Sequence, residues 1–85
     1  MTYIPERKIY LGELNQLLKD PKWHNAMSDR PEEPGTYTVI TNQYRAKDTA
    51  WIKNHYRYYQ FLGWFTPNGK LTHASVLAWC KEDEA

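Results

Sequence analysis

The stretch His55-Tyr56-Arg57-Tyr58-Tyr59-Gln60-Phe61-Leu62-Gly63-Trp64-Phe65 constrains this chain more than any other. Seven of its eleven side chains carry aromatic rings, and these fall on odd and even positions alike. A strand that buries one face needs apolar residues only at alternate positions. Read as one strand, the stretch sends Tyr56, Tyr58, Gln60, Leu62 and Trp64 to one side and Arg57, Tyr59, Phe61, Gly63 and Phe65 to the other. Neither side is a solvated polar face, so the fold must supply a cover for both.

The other strand candidates share this property. Thr36–Thr41 is a run of β-branched and aromatic residues in which Tyr37 and Val39 oppose Ile40. Val76–Cys80 sets Val76, Ala78 and Cys80 against Leu77 and Trp79. Ala50-Trp51-Ile52 reads as a further short strand and Asn54 as a turn after it, while 43–49 is polar. Thr66-Pro67-Asn68-Gly69 is a hairpin turn: proline presets the second position, glycine accepts a positive φ, and Lys70–Thr72 is the expected return arm. Upstream, Tyr10, Leu14, Leu17 and Leu18 follow the spacing of one helical face, which Asp20-Pro21 terminates. Ser28–Gly35, "SDRPEEPG", is a loop.

These elements predict a small α+β domain: one N-terminal helix with an antiparallel sheet of four or five strands. Residues 1–85 form a single domain, with a helical N-terminal segment over 1–22, the sheet over 23–80 and a fraying acidic tail over 81–85. Four Trp, seven Tyr and two Phe make so short a chain feasible, since each ring buries about 150 to 250 Å². One short helix covers one face of such a sheet and leaves the second open. Either the N-terminal and 20s segments, with Tyr3, Ile4, Trp23 and Met27, fold over that face, or it is a contact surface.

Charge and cysteine usage narrow the function classes. A formal charge of +1 argues against a polyanionic DNA mimic and against a basic nucleic-acid coat. The charge is unevenly spread: residues 42–73 hold five Lys or Arg against one Asp, and the aromatic stretch lies inside that basic segment. The lone Cys80 permits no intrachain disulfide, and with no leader-like opening the expected location is a cytoplasm. No apolar run approaches the ~18 residues of a membrane helix.

Catalytic and metal motifs are missing from the sequence. His24, His55, His73 and Cys80 show no paired ligand spacing, so neither metal nor cofactor is expected. Ser28 and Ser75 lack a nucleophile elbow, Cys80 lies in an apolar strand, and the glycines at 12, 35, 63 and 69 build no phosphate loop. Glu32 and Glu33 solvate their loop rather than share a proton. A non-catalytic protein is expected.

Trp23, "DRPEEPGTYTV" and "VLAW" together resemble a family of short, largely uncharacterised phage and prophage proteins. In these an opening tryptophan is followed by an acidic-proline loop ending in glycine, an aromatic-plus-valine strand, a variable middle and a closing hydrophobic-x-Trp strand. The resemblance covers residues 23–80. Its members often continue from the last tryptophan into a proline-rich end, whereas Trp79 here precedes Cys80-Lys81-Glu82, and the first 22 residues lie outside it. It implies phage origin, a compact sheet and no catalytic residues, and points to proteins that act by binding host machinery, including defence systems.

The resulting expectation is a phage-type binding protein that inhibits or redirects a host factor in the host cytoplasm, such as an RNA-guided nuclease, which would make it an anti-CRISPR protein. Its anchors would be Tyr56, Arg57, Tyr58, Tyr59 and Trp64, with Lys53 and Lys70 as a steering rim. Two other readings use the same rings: a stacking platform for single-stranded nucleic acid or a nucleotide, and a homodimer that buries the second face against its twin.

Overall fold

The computed structural model describes residues 5–43, 46–72 and 75–82. Strand β1 (Arg7–Tyr10) runs directly into helix α1 (Leu11–Leu17). Then come β2 (His24–Asn25), β3 (Gly35–Gln43), the long β4 (Ala46–Tyr59), β5 (Gly63–Phe65) and β6 (Val76–Lys81). All pairings are antiparallel, in the order β1-β4-β3-β6-β2, with β5 pairing on β4.

The two-sided aromatics are explained by a bulge within β4. Ile40 lies opposite Ile52 and Val39 opposite Lys53, but Tyr37 is already opposite Tyr56. Two steps along β3 therefore match three along β4, and the extra residue is taken up at Asn54-His55, where His55 adopts a φ of 64°. One added residue reverses the side to which every later side chain points. Ala50 and Ile52 thus enter one core, whereas Tyr56 and Tyr58, at positions of the same parity, enter another on the opposite face.

Residues near both ends of the described chain satisfy the donors that the bulge takes out of the ladder. The Asn54 amide donates to Glu6 Oε2 at 2.8 Å, and the His55 amide donates to Glu82 Oε1, which also lies 2.8 Å from His55 Nδ1. Asn54 Oδ1 in turn accepts the buried Thr38 hydroxyl at 2.8 Å. Buried polar groups at an irregular backbone are tolerated when they are paired in this way.

The first core gathers Ile9, Ile40, Ala50, Ile52, Ala78 and Cys80 from the sheet beneath Leu14 of α1 and Trp23, with Leu11, Leu17, Leu18 and Leu77 at its margin. No side chain caps α1, whose seven residues are too few to be stable alone, so burial of its leucine face holds it in place. The second core contains Tyr37, Val39, Tyr56, Tyr58 and Trp79, flanked by Ala26, Trp64 and Val76. Its rings meet edge to face: Tyr37 with Trp79 at 5.3 Å, Tyr37 with Trp64 at 5.8 Å and Tyr58 with Trp64 at 4.9 Å. The acidic-proline loop closes over it because three side chains donate to its carbonyls. Trp79 Nε1 bonds Asp29 O (2.8 Å), Tyr37 Oη bonds Glu33 O (2.7 Å) and Gln60 Nε2 bonds Glu32 O (2.6 Å).

Several expectations are revised. The sheet has six strands rather than four or five, because β1 and β2, of four and two residues, are too short to show alternation. The first 22 residues are therefore not simply helical. Ala50–Ile52 and the aromatic stretch belong to one strand, with a bulge where Asn54 suggested a turn. That stretch itself breaks, since residues 60–62 form a turn before β5. The Thr66–Gly69 turn forms as expected, with Thr66 N bonded to Lys70 O (2.8 Å), but the return arm makes only the Phe65–Leu71 bridge and the Thr72 N to Trp64 O bond (3.0 Å). Lys81 belongs to β6 and Glu82 is docked at the bulge, so these tail positions do not fray; residues 83–85 lie outside the described residues. Of the proposed lid, Trp23 joins the first core, Met27 is exposed, and Tyr3 and Ile4 lie outside the described residues.

Two outcomes follow. Glu82→Ala deprives the bulge of an acceptor for one amide and one imidazole and should lower unfolding free energy by about 1 to 3 kcal/mol in urea denaturation; an unchanged midpoint would show that the bulge does not depend on Glu82. The second concerns pH. Burial pushes the Tyr37 and Tyr56 phenols above their ordinary 10.0, helped by the charge of Glu33 at Tyr37 and of Glu6 at Tyr56, while a hydrogen bond with Thr72 pulls Tyr56 the other way. Above pH 10 the unfolded chain releases these protons before the folded one does, so stability that is intact below 10 is lost as pH rises through the higher folded-state values. Tyrosinate absorbance should accordingly show a late fraction that appears together with loss of structure, and ionisation of every tyrosine in the intact fold would contradict this.

Candidate docking site at the β4–β5 turn

The second core is not closed completely. Where β4 turns into β5, Leu62 N donates to Tyr59 O at 3.1 Å, closing a tight turn whose third residue is Phe61 with a φ of 69°. Gly63 follows at 99°, a conformation that glycine tolerates. A phenylalanine does not adopt a positive φ readily; left-handed backbone costs a non-glycine residue roughly 1 to 2 kcal/mol. The Gln60 side chain donates to Glu32 O and so ties this turn to the acidic loop. Phe61 is fully exposed (101%) and Leu62 largely so (65%).

Beside the tip lies a cleft of about 360 Å³. Tyr58, Trp64, Val76 and Ala26 from the second core reach its wall, Pro31 and Gly63 flank it, and Phe61, Leu62, Asp29 and Arg30 complete its lining. Asp29 is positioned by His24, whose Nδ1 lies 2.7 Å from its carboxylate and whose ring stacks on Trp79 at 4.1 Å. The cleft is thus an opening into an aromatic core, with one acidic and one basic residue beside it.

The seven residues expected at the contact surface are divided by the bulge. Tyr56 and Tyr58 are core residues, 9% and 7% exposed, and are corrected from surface anchors to packing residues. Trp64 is half-buried and reaches the cleft. Arg57 and Tyr59 point to the opposite side, where they border a shallow hollow of about 320 Å³ with Pro34, Gly35 and Thr36, and Tyr59 meets Phe65 edge-on at 5.3 Å. Lys53 lies over the Trp51 ring at 5.0 Å, in the half of β4 before the bulge, and Lys70 is exposed in the Thr66–Lys70 turn. The four rings suggested for nucleic-acid stacking are therefore not displayed together. Phe61 and Leu62 were hidden from sequence reasoning because an unbroken strand would carry them; the one local signal for a break is Gly63.

A second hollow bordering the acidic loop, of about 290 Å³, contains the His24–Asp29 pair with Arg30, Glu32, Glu33, Tyr37, Trp79 and Lys81. That lining includes no Ser, Thr or Cys for the pair to activate. Cys80 is fully buried, and among the described residues no three His, Cys, Asp or Glu side chains gather where they could hold a metal. Among the same residues no helix is long and apolar enough to cross a membrane.

Comparison with protein-family models, with curated proteins and with solved structures found no match.

Tyr58→Ala should cost about 3 to 5 kcal/mol in thermal or urea unfolding, as expected for a ring removed from a packed core. Tyr59→Ala, one position along, should cost about 1 kcal/mol or less, since it loses mainly the contact with Phe65. Equal losses at the two positions would contradict the side assignment made by the bulge.

Proposed function

We propose that the protein is a non-catalytic binding protein of phage type that acts in the host cytoplasm by docking on a host protein. The reading that fits best is inhibition or redirection of a defence factor, an RNA-guided nuclease being one such target. The docking surface is the Phe61-Leu62 tip with its adjoining cleft. The observation that carries this is Phe61 itself: a large apolar ring, fully in water, at a positive φ in a turn that Gln60 ties to the acidic loop. The positive φ closes the β4–β5 turn, but the ring that it carries buries no apolar area in this fold, and backbone strain of this kind clusters where a site depends on it. An aromatic knob beside an apolar cleft matches the anchors that dominate protein interfaces. The host and phage setting rests on the resemblance of Trp23, "DRPEEPGTYTV" and "VLAW".

Phe61→Asn separates folding from binding. Asparagine accepts a positive φ, so this variant should unfold at the same or a higher temperature, by up to about 1 kcal/mol of added stability, while losing capture of a host protein from bacterial lysate. Arg57→Glu, on the opposite side of the sheet, should leave capture intact. Retained capture with Phe61→Asn, or loss with Arg57→Glu, would move the site to the other face.

A further inference from the structure

We infer that this same surface also binds a second copy of the chain, forming a twofold-symmetric dimer in which each Phe61 enters the cleft of its twin. The inference rests on the tip and cleft being a docking surface, as proposed above, but needs no host protein.

An interface across a twofold axis uses one patch twice, so the patch must complement itself. This one supplies both halves of a fit. Phe61 projects fully into solvent, and next to it a cleft of about 360 Å³ opens onto Tyr58 and Trp64, rings that accept a third ring edge-on or stacked. The charges show the same self-complementarity. Asp29, oriented by its bond to His24 and half-exposed, is adjacent to Arg30 in the lining, and a twofold rotation can bring the acid of one copy to the base of the other, whereas a surface of single sign would repel its twin. An exclusively acidic or basic partner would leave one of the two charges opposed.

The size of the patch sets the strength. Stable dimers bury roughly 800 Å² per partner. The exposed apolar surface here is chiefly Phe61 and Leu62, a fraction of that area. The dimer is therefore weak and reversible, and a host protein offering a larger matching surface would displace the twin.

Analytical ultracentrifugation of the purified full chain from ~1 μM to ~1 mM tests this over the range in which weak pairs dissociate. The wild type should move from monomer towards dimer mass across that range. Phe61→Asp should stay monomeric throughout with an equal or higher melting temperature, since aspartate also accepts a positive φ, and Arg30→Glu, which sets two acids against two, should weaken association at least tenfold. Amide shifts of Gly63 and Val76 should change with concentration in the wild type and not in Phe61→Asp. A wild type that stays monomeric at ~1 mM overturns the inference, and so does a dimer whose affinity is unaltered by Phe61→Asp. Because the measurement uses the chain by itself, its failure leaves host capture to stand or fall separately.

Discussion

The structure depends on the placement of one extra residue. The bulge at Asn54-His55 lets a single 14-residue strand serve two cores, with Ile52 facing α1 and Tyr56 facing the acidic loop. Without it, all even-numbered residues of β4 would crowd one face. The pairs Ile40–Ile52 and Tyr37–Tyr56 are both matched, apolar against apolar, only because the register shifts between them. A sheet with covers of unequal kind, a helix over one half and a loop over the other, needs such a device in its longest strand.

The cover over the second face differs in character from the helix over the first. The helix is held by leucines and gains mostly from apolar burial. The loop is held by three directed hydrogen bonds from Trp79, Tyr37 and Gln60, of which the first two come from rings of the core it covers. This polar fastening adds to the burial of Pro31, the one buried residue of "SDRPEEPG", so a loop with little apolar surface can act as a lid. It also leaves a gap, since hydrogen-bonded backbone does not fill volume as leucine side chains do. The cleft beside Trp64 lies where that cover stops.

What could be read from the sequence was what local chemistry decides. The Thr66–Gly69 turn, the strand over Thr36–Thr41, the last strand and the leucine face of the helix each follow from a few neighbouring residues, and each is present within a residue or two. The tension in the aromatic stretch was also legible, as a demand for cover on both sides. Its resolution was not, because His55 has no composition that marks a bulge; the partners that make it affordable are Glu6 and Glu82, tens of residues away in each direction. The sorting of the contact residues inherited that gap. Tyr58 and Tyr59 look alike in sequence, and only the register assigns one to a core and the other to the surface.

The reach of that bulge has a consequence for the chain during its synthesis. Glu82 emerges from the ribosome long after β3 and β4, and β6, which pairs with β3, emerges only just before it. Until both are available the central hairpin can form, but its register is not locked, and its rings have no settled side. Locking of the register should therefore wait until β6 and Glu82 join the hairpin, a long-range closure of the kind that slows the folding of sheets.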